Sequence, residues 1–171
     1  MDRPHPRVIA RQTLYEGPFS VQLDELSDSD RTYRRAWVQH PGAVVLVPIQ
    51  GDEVLLVRQY RHATGEDLLE LPAGTLEPEE PPEETARREL QEECGYLPRV
   101  LRPLLRAYAA PGYSSEVYHF FLAEDLVLSR LPGDEDEDIE VVRMALREAQ
   151  ALARRGMMGD AKTALGLLLV P

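Results

Sequence analysis

Length, composition and charge limit what this chain can be. Its 171 residues suffice for one domain with a buried core and are too few for two domains of usual size. The 30 acidic residues outnumber the 19 Lys and Arg residues, and the formal net charge of −11 disfavours nucleic acid as a partner, since binding along a phosphate backbone requires clustered positive charge. One cysteine excludes an internal disulfide, and the apolar stretches at 43–49 and 165–170 are too short to span a bilayer. We therefore expect a cytoplasmic protein with no membrane partner.

The first part of the chain predicts strands. Three short strands are expected at 7–15, 19–26 and 32–39. Gly17-Pro18 and the polar run 27–31 separate them, so they predict a small N-terminal antiparallel sheet. Two stronger strands follow at 43–49 and 53–59, and Gln50-Gly51-Asp52 between them has the composition of a tight hairpin turn. These two strands predict the start of the core sheet.

From residue 81 the pattern becomes helical. Pro82 occupies a first-turn position, acidic residues follow it, and Gly95 lies where a left-handed C-cap is needed, so a helix is predicted over 81–94. Beyond it, strands are predicted at 104–109, 117–123 and 139–144, and helices at 146–154 and 160–169. The succession of elements predicts the mixed α/β class.

Three glutamates on the predicted helix are candidate ligands for a metal ion. Glu89, Glu92 and Glu93 are spaced so that their carboxylates share one helical face, where each like-charge pair costs about 0.2–0.5 kcal/mol. A hard divalent cation such as Mg²⁺ or Mn²⁺ would relieve the repulsion, because these ions prefer oxygen ligands. The alternative is an ordinary solvated helix face. Apolar residues at four-residue spacing favour the first interpretation, because they let another face of the helix pack on a sheet: Ala86, Leu90 and Cys94.

The segment from Gly74 to Tyr96 resembles the Nudix box. Gly74 is followed after five residues by Glu80, after seven more by Arg88-Glu89-Leu90, and then by Glu92-Glu93 and Gly95-Tyr96, with no gap or mismatch. The resemblance implies one Nudix domain over 1–171, an α/β/α sandwich with a mixed central sheet and an added N-terminal antiparallel sheet. Residues 1–40 would be the β segment that pairs two subunits in a homodimer, and 41–171 the core.

The same resemblance implies the metal site. Glu89 and Glu93 would be the chief Mg²⁺ ligands, with Glu92 close by and the backbone carbonyl of Ala73 contributing; Mn²⁺ or another divalent cation is the alternative. Gly74 would permit the close approach of the backbone. Two further positions of the box would support the loop and the helix without touching the reacting phosphorus: Glu80 and Arg88.

Residues before the box resemble the ADP-ribose pyrophosphatase subgroup. The stretches Val57-Arg58-Gln59-Tyr60-Arg61 and Leu69-Glu70-Leu71-Pro72-Ala73-Gly74 carry this likeness. It implies substrate contacts for Arg61, which would reach the diphosphate, and for Glu70. A guanidinium suits bidentate recognition of phosphate, although an arginine at a strand end is commonly present for solubility alone.

Residues outside the box supply further candidates. Pro111 lies sixteen positions beyond Gly95, a marker that is similar to the ADP-ribose subgroup, although Pro-Gly is also an ordinary turn. Glu116 is either a further substrate-site acid or a charge at a strand edge. Tyr33 and Trp37 are candidates for stacking on adenine, since relatives place aromatic residues in this sheet, and core or interface packing is the alternative for each.

The acidic run 134–138 supplies the candidate general base. Five consecutive acids usually form a solvated loop. In ADP-ribose pyrophosphatases a glutamate from the equivalent loop activates water, and the resemblance assigns this role to Glu137, with Glu135 as second choice.

The combined interpretation is an enzyme that acts on a small nucleotide sugar. We expect Mg²⁺-dependent hydrolysis of ADP-ribose to AMP and ribose 5-phosphate, with Glu137 deprotonating the water and Glu93 counted among the catalytic residues as well as the metal ligands. Two alternatives remain. One is a Nudix hydrolase for GDP-mannose, for a flavin or nicotinamide dinucleotide, or for a dinucleoside polyphosphate. The other is a non-catalytic Nudix module that binds a nucleotide sugar, against which the complete set of box glutamates argues.

Overall fold

The computed structural model describes residues 5–133 and 138–171. The strands are β1 (Arg7–Glu16), β2 (Ser20–Ser27), β3 (Thr32–Gln39), β4 (Ala43–Gln50), β5 (Glu53–Arg61), β6 (Glu66–Glu70), β7 (Ala73–Thr75), β8 (Tyr96–Tyr108), β9 (Val117–Leu128) and β10 (Ile139–Ala145). The helices are α1 (Pro82–Glu89), α2 (Leu146–Arg154) and α3 (Ala161–Leu169), and α1 continues into a π-helical turn (Leu90–Cys94). The predicted mixed α/β class is confirmed.

The chain divides into two compact units. The first comprises the described residues up to Gly42 together with Tyr108–Val117, and the second comprises the rest of the described chain. In the first unit β1, β2 and β3 form an antiparallel sheet in that order. In the second, the order is β10-β5-β4-β9-β8, with β6 beside β5 and β7 beside β4. This larger sheet is mixed, because β4 runs parallel to β9 and antiparallel to β7.

Strand β4 forms the centre of the second unit. Its apolar run is buried on both faces, as expected for an inner strand covered on two sides. Val45 and Val47 belong to one hydrophobic cluster, which also includes residues of α2 and α3. Val44 and Leu46 belong to the other, with residues of α1 and the π turn. Helices therefore cover both faces of the sheet, and the α/β/α arrangement expected from the resemblance is confirmed.

The hairpin between β4 and β5 helps to position the start of the Gly74–Tyr96 segment. Gly51 has a φ of 64°, as the tight turn requires, and β4 and β5 pair only at the residues that flank it. The strands then diverge, so that β4 pairs with β7 and β5 pairs with β6. This divergence places Ala73 and Gly74 beside the buried strand β4.

The predicted helix boundaries are close to those observed. Pro82 begins α1, Glu83 and Glu84 lie in its first turn, and Gly95 caps the π turn in the left-handed region with a φ of 79°. The π geometry of the last turn was not predicted. Within residues 5–133 and 138–171, no helix combines the length and the apolar character of a membrane span.

Four strands differ from the prediction, and one of them, β9, ends at Leu128 instead of at the predicted residue 123. The short strands β6 and β7 were not predicted, and β8 begins at Tyr96, directly after Gly95, well before the predicted start at 104. Strand β8 contains Pro98 and Pro103, which weaken a sequence-based strand prediction. Because β8 is at the end of the strand order, an edge position accommodates these prolines.

Candidate active site

Two glutamates meet the chain at Ala73 and Gly74. The Glu93 side chain belongs to the π turn, is 8% exposed, and its Oε2 accepts a hydrogen bond from the Ala73 N–H at 3.2 Å. The Glu89 carboxylate lies against Gly74, where a Cβ would overlap it, so space is the reason for a glycine at this position. The atom of Ala73 expected to bind metal is its carbonyl oxygen, whereas the contact observed is made by its N–H. The fold thus brings Glu89, Glu93 and Ala73 together.

Arg88 joins the remaining acids of the box. Its Nη1 lies 2.8 Å from Glu89 Oε1 and 2.8 Å from Glu92 Oε2, and its Nη2 lies 3.1 Å from Glu80 Oε2. Glu80 also accepts a hydrogen bond from the Thr85 hydroxyl at 2.9 Å. The hydrogen bonds from Arg88 hold the pKa of Glu80 below its ordinary value, and those to Glu80 raise the pKa of Arg88. Arg88 is therefore charged, and it links Glu80 to Glu89 and Glu92.

The charge of this cluster favours a cation. The Arg88 guanidinium pairs with four carboxylates, those of Glu77, Glu80, Glu89 and Glu92, and all the side-chain ligand atoms offered to a metal would be oxygens, as hard divalent ions prefer. Among the residues that the structure describes, no group of three or more His, Cys, Asp or Glu side chains already surrounds a common metal position. Glu89 and Glu92 turn toward Arg88, and Glu93 toward Ala73. A bound cation would compete with these contacts.

Arg61 and Glu70 form a second ionic group. The Arg61 Nε and Nη2 donate to the two Glu70 carboxylate oxygens at 2.7 and 2.8 Å. Glu70, three residues before Ala73, has a side chain that is only 2% exposed and also accepts from Lys162 Nζ. Burial raises the pKa of Glu70, but hydrogen bonds from Arg61 and the charge of Lys162 outweigh it and hold the pKa below its ordinary value. Sequence reasoning missed Lys162.

Trp37 lies in β3 of the first unit. Its Nε1 donates to Asp24 Oδ2 at 3.1 Å, and the Arg11 guanidinium lies 5.1 Å from the centre of the indole. Asp24 also accepts from Arg11 at 2.6 Å, and this hydrogen bond lowers the pKa of the Asp24 carboxyl. The indole is thus fixed at one edge by a charged partner.

The other candidates are placed as follows. Glu116 in the first unit lies 3.9 Å from His40 Nδ1. The same nitrogen accepts a hydrogen bond from the Gly42 N–H at 3.1 Å, whereas its distance to Glu116 is too long for a hydrogen bond. Glu135 and Glu137 lie outside the described residues.

Comparison with known proteins identifies the class. A family model described as NUDIX domain matches residues 38–164. The chain is 34% identical over 166 residues to the ADP-ribose pyrophosphatase of Bacillus subtilis (strain 168), covering 94% of this chain and 90% of that one. It is 37% identical over 148 residues to a GDP-mannose pyrophosphatase of Citrobacter koseri, covering 81% and 77%. A crystal structure of an ADP compounds hydrolase matches with a TM-score of 0.85 at 30% identity, over 99% of this chain and 94% of that chain.

These matches cover most of the chain, including the whole of the Gly74–Tyr96 segment. The chain belongs to the Nudix family. It is a Nudix hydrolase, an enzyme of a class that generally uses divalent cations.

Proposed function

We propose that this enzyme hydrolyses the pyrophosphate bond of a nucleoside diphosphate sugar, with ADP-ribose as substrate and AMP and ribose 5-phosphate as products. The observation that carries the proposal is the pair of largely buried carboxylates, Glu89 and Glu93, against the Ala73–Gly74 segment. The choice of ADP-ribose is supported by the similarity to the Bacillus subtilis ADP-ribose pyrophosphatase, which extends over nearly the whole of both chains.

The cofactor in this proposal is Mg²⁺, with Mn²⁺ as the alternative. Glu89 and Glu93 would hold it, together with Glu92 and the carbonyl oxygen of Ala73. When bound, the cation supplies positive charge to the diphosphate and lowers the pKa of a coordinated water. The all-oxygen donor set supports a hard ion.

Arg88 and Glu80 are positioning residues in this proposal. Arg88 contacts Glu89 and Glu92 through one nitrogen, so it keeps two carboxylates close together despite their like charge. Glu80 accepts hydrogen bonds from the other two nitrogens of the same guanidinium, Nε and Nη2, and the Thr85 hydroxyl in turn donates to Glu80. The box thus orients its own acids by an internal chain of hydrogen bonds.

Arg61 binds the diphosphate, and Glu70 orients its guanidinium through two hydrogen bonds. Glu137 accepts the proton of the attacking water, with Glu135 as second choice, a contribution of about 10²–10⁴-fold for a general base. Trp37 stacks on the adenine and Glu116 contributes a further substrate contact; both of these roles are inferences from the resemblance.

The proposed assembly is a cytoplasmic homodimer of single-domain subunits, paired through the N-terminal β segment. Strand β1 supports this arrangement, because all ten of its residues are exposed in the isolated chain and several are large and apolar. The exposed apolar residues are Val8, Ile9, Leu14 and Tyr15.

A substrate panel tests the proposed function. Wild-type enzyme is incubated with ADP-ribose, GDP-mannose, NADH, FAD or diadenosine tetraphosphate, with Mg²⁺ or with EDTA, and released phosphomonoesters are converted to phosphate by a phosphatase. We expect the highest kcat/KM with ADP-ribose and no turnover with EDTA.

Two results of the panel would contradict the proposal in different ways. A higher kcat/KM with GDP-mannose would favour the second candidate function, which the 37% identity to the Citrobacter koseri enzyme supports. Tight binding of ADP-ribose without turnover would favour a sensor module.

A further inference from the structure

Lys162 is the only lysine of the chain, although the chain has 19 Lys and Arg residues in total. Its side chain is 10% exposed, which is unusual for a residue type that normally extends into water. It is the second residue of α3, and its ammonium group contacts both Glu70 and, at 3.0 Å, Asp160. A single lysine that is buried and paired with two carboxylates indicates a specific structural or functional role.

The surroundings of Lys162 fix its position from two sides. Asp160 caps α3, since its Oδ2 accepts from the Thr163 N–H at 2.9 Å and from the Thr163 hydroxyl at 2.6 Å. The same hydroxyl accepts a hydrogen bond from the Leu71 N–H at 2.7 Å. The start of α3 is therefore tied to the residue that follows Glu70, and Lys162 cannot move independently of that carboxylate.

Lys162 and Arg61 share one oxygen atom. Glu70 Oε2 accepts from Arg61 Nη2 at 2.8 Å and from Lys162 Nζ, while Oε1 accepts from Arg61 Nε at 2.7 Å. With Lys162, two cations share the Glu70 charge, whereas without it Arg61 alone would neutralise a buried carboxylate. The negative charge of Asp160 is shared with the N-terminus of α3.

We propose that Lys162 is a positioning residue for substrate binding: by sharing Glu70 with Arg61, it fixes the Arg61 guanidinium and preserves its attraction for a diphosphate. This inference rests on the proposed contact between Arg61 and the diphosphate. A compact ammonium group suits the space between Glu70 and Asp160, where a planar guanidinium would need more room. Arg61 contacts the diphosphate both in the bound substrate and in the transition state. Loss of Lys162 therefore weakens substrate binding, which raises KM, and leaves kcat nearly unchanged.

Steady-state kinetics test the proposal. We expect Lys162→Met to raise KM for ADP-ribose about tenfold while kcat stays within about twofold of wild type. The matched control is Arg102→Met, which removes the same charge from an exposed pair with Glu124 and is expected to leave both constants unchanged. Lys162→Arg restores the charge and should recover part of the KM loss. If Lys162→Met does not fold, Lys162→Gln replaces it with the same expectation.

A second readout does not depend on the substrate. The Arg61 Nε–H resonance, assigned with Arg61→Lys, should shift toward that of exposed arginines in Lys162→Met and stay unchanged in Arg102→Met. An unchanged KM together with an unchanged Arg61 resonance would overturn the proposal. If the wild-type enzyme hydrolyses no compound of the panel, the proposed function fails, and the Arg61 resonance alone decides whether Lys162 positions Arg61.

Discussion

Two ionic clusters of the second unit differ in charge balance. Around Arg88, one guanidinium forms ion pairs with four carboxylates, those of Glu77, Glu80, Glu89 and Glu92, so carboxylates outnumber the cation in these pairs. Around Glu70, the cations Arg61 and Lys162 face the carboxylates of Glu70 and Asp160, so charge is balanced. Partly buried carboxylates without enough cations cost free energy unless a bound ligand compensates their charge. Carboxylates that are paired with cations need no such ligand, and their ion pairs can serve only to orient the side chains. This difference in charge fits the proposed roles of the two clusters, cation binding for the first and positioning of Arg61 for the second.

The largest expected effect comes from removing a charge from the unbalanced cluster. If Glu93 holds the cation as proposed, Glu93→Gln should lower kcat for ADP-ribose by at least about a hundredfold, since loss of a metal ligand should exceed the effect of losing a supporting residue. Its thermal stability should be unchanged or raised, because like-charge repulsion is reduced. Steady-state kinetics and a melting curve measure the two effects. Glu137→Gln should be the milder variant, and the opposite order would refute the roles assigned to the two residues.

The next effect tests the space at Gly74. Gly74→Ala adds a Cβ that overlaps the Glu89 carboxylate, so Glu89 must move, and kcat should fall about tenfold or more through misplacement alone. Gly112→Ala is the control, since a Cβ there meets nothing within 4 Å. Equal activity of the two variants would show that the position of Glu89 is unimportant.

The smallest effect concerns stability and pH. The pKa of Glu80 is held below the ordinary value of 4.5 by hydrogen bonds from Arg88, so its contribution is fully present above that pH and is lost as pH falls through the folded-state pKa. Glu80→Gln should therefore lower Tm at pH 7 by about 2–4 °C, the shift that about 1 kcal/mol produces in a chain of this size. Melting curves of both proteins should converge as the pH is lowered below the ordinary glutamate value. A difference that persists unchanged at low pH would argue against the ion pair as its cause.

Local sequence signals predicted much of the second unit. Pro82 and Gly95 delimited the helix, Gly51 marked the hairpin, and the spacing of Glu89 and Glu93 indicated a shared face. These features depend on residues that are close in sequence, so the sequence carries them directly.

Contacts between distant residues were not predictable in the same way. Lys162 meets Glu70 across 92 positions, and no periodicity links α3 to β6. Its status as the only lysine was the one available signal. The π turn was also not predicted. A segment of five residues can carry the same apolar pattern whether its hydrogen bonds are those of an α-helix or of a π-helix.

The most direct test of the account is the rate of phosphomonoester release from ADP-ribose as a function of Mg²⁺ concentration, for wild type and for Glu89→Gln and Glu93→Gln. We expect saturable activation of the wild type, no turnover without the cation, and variants that need much more Mg²⁺ and reach a far lower maximal rate. Wild-type rates and unchanged Mg²⁺ dependence in both variants would contradict the assignment of these carboxylates.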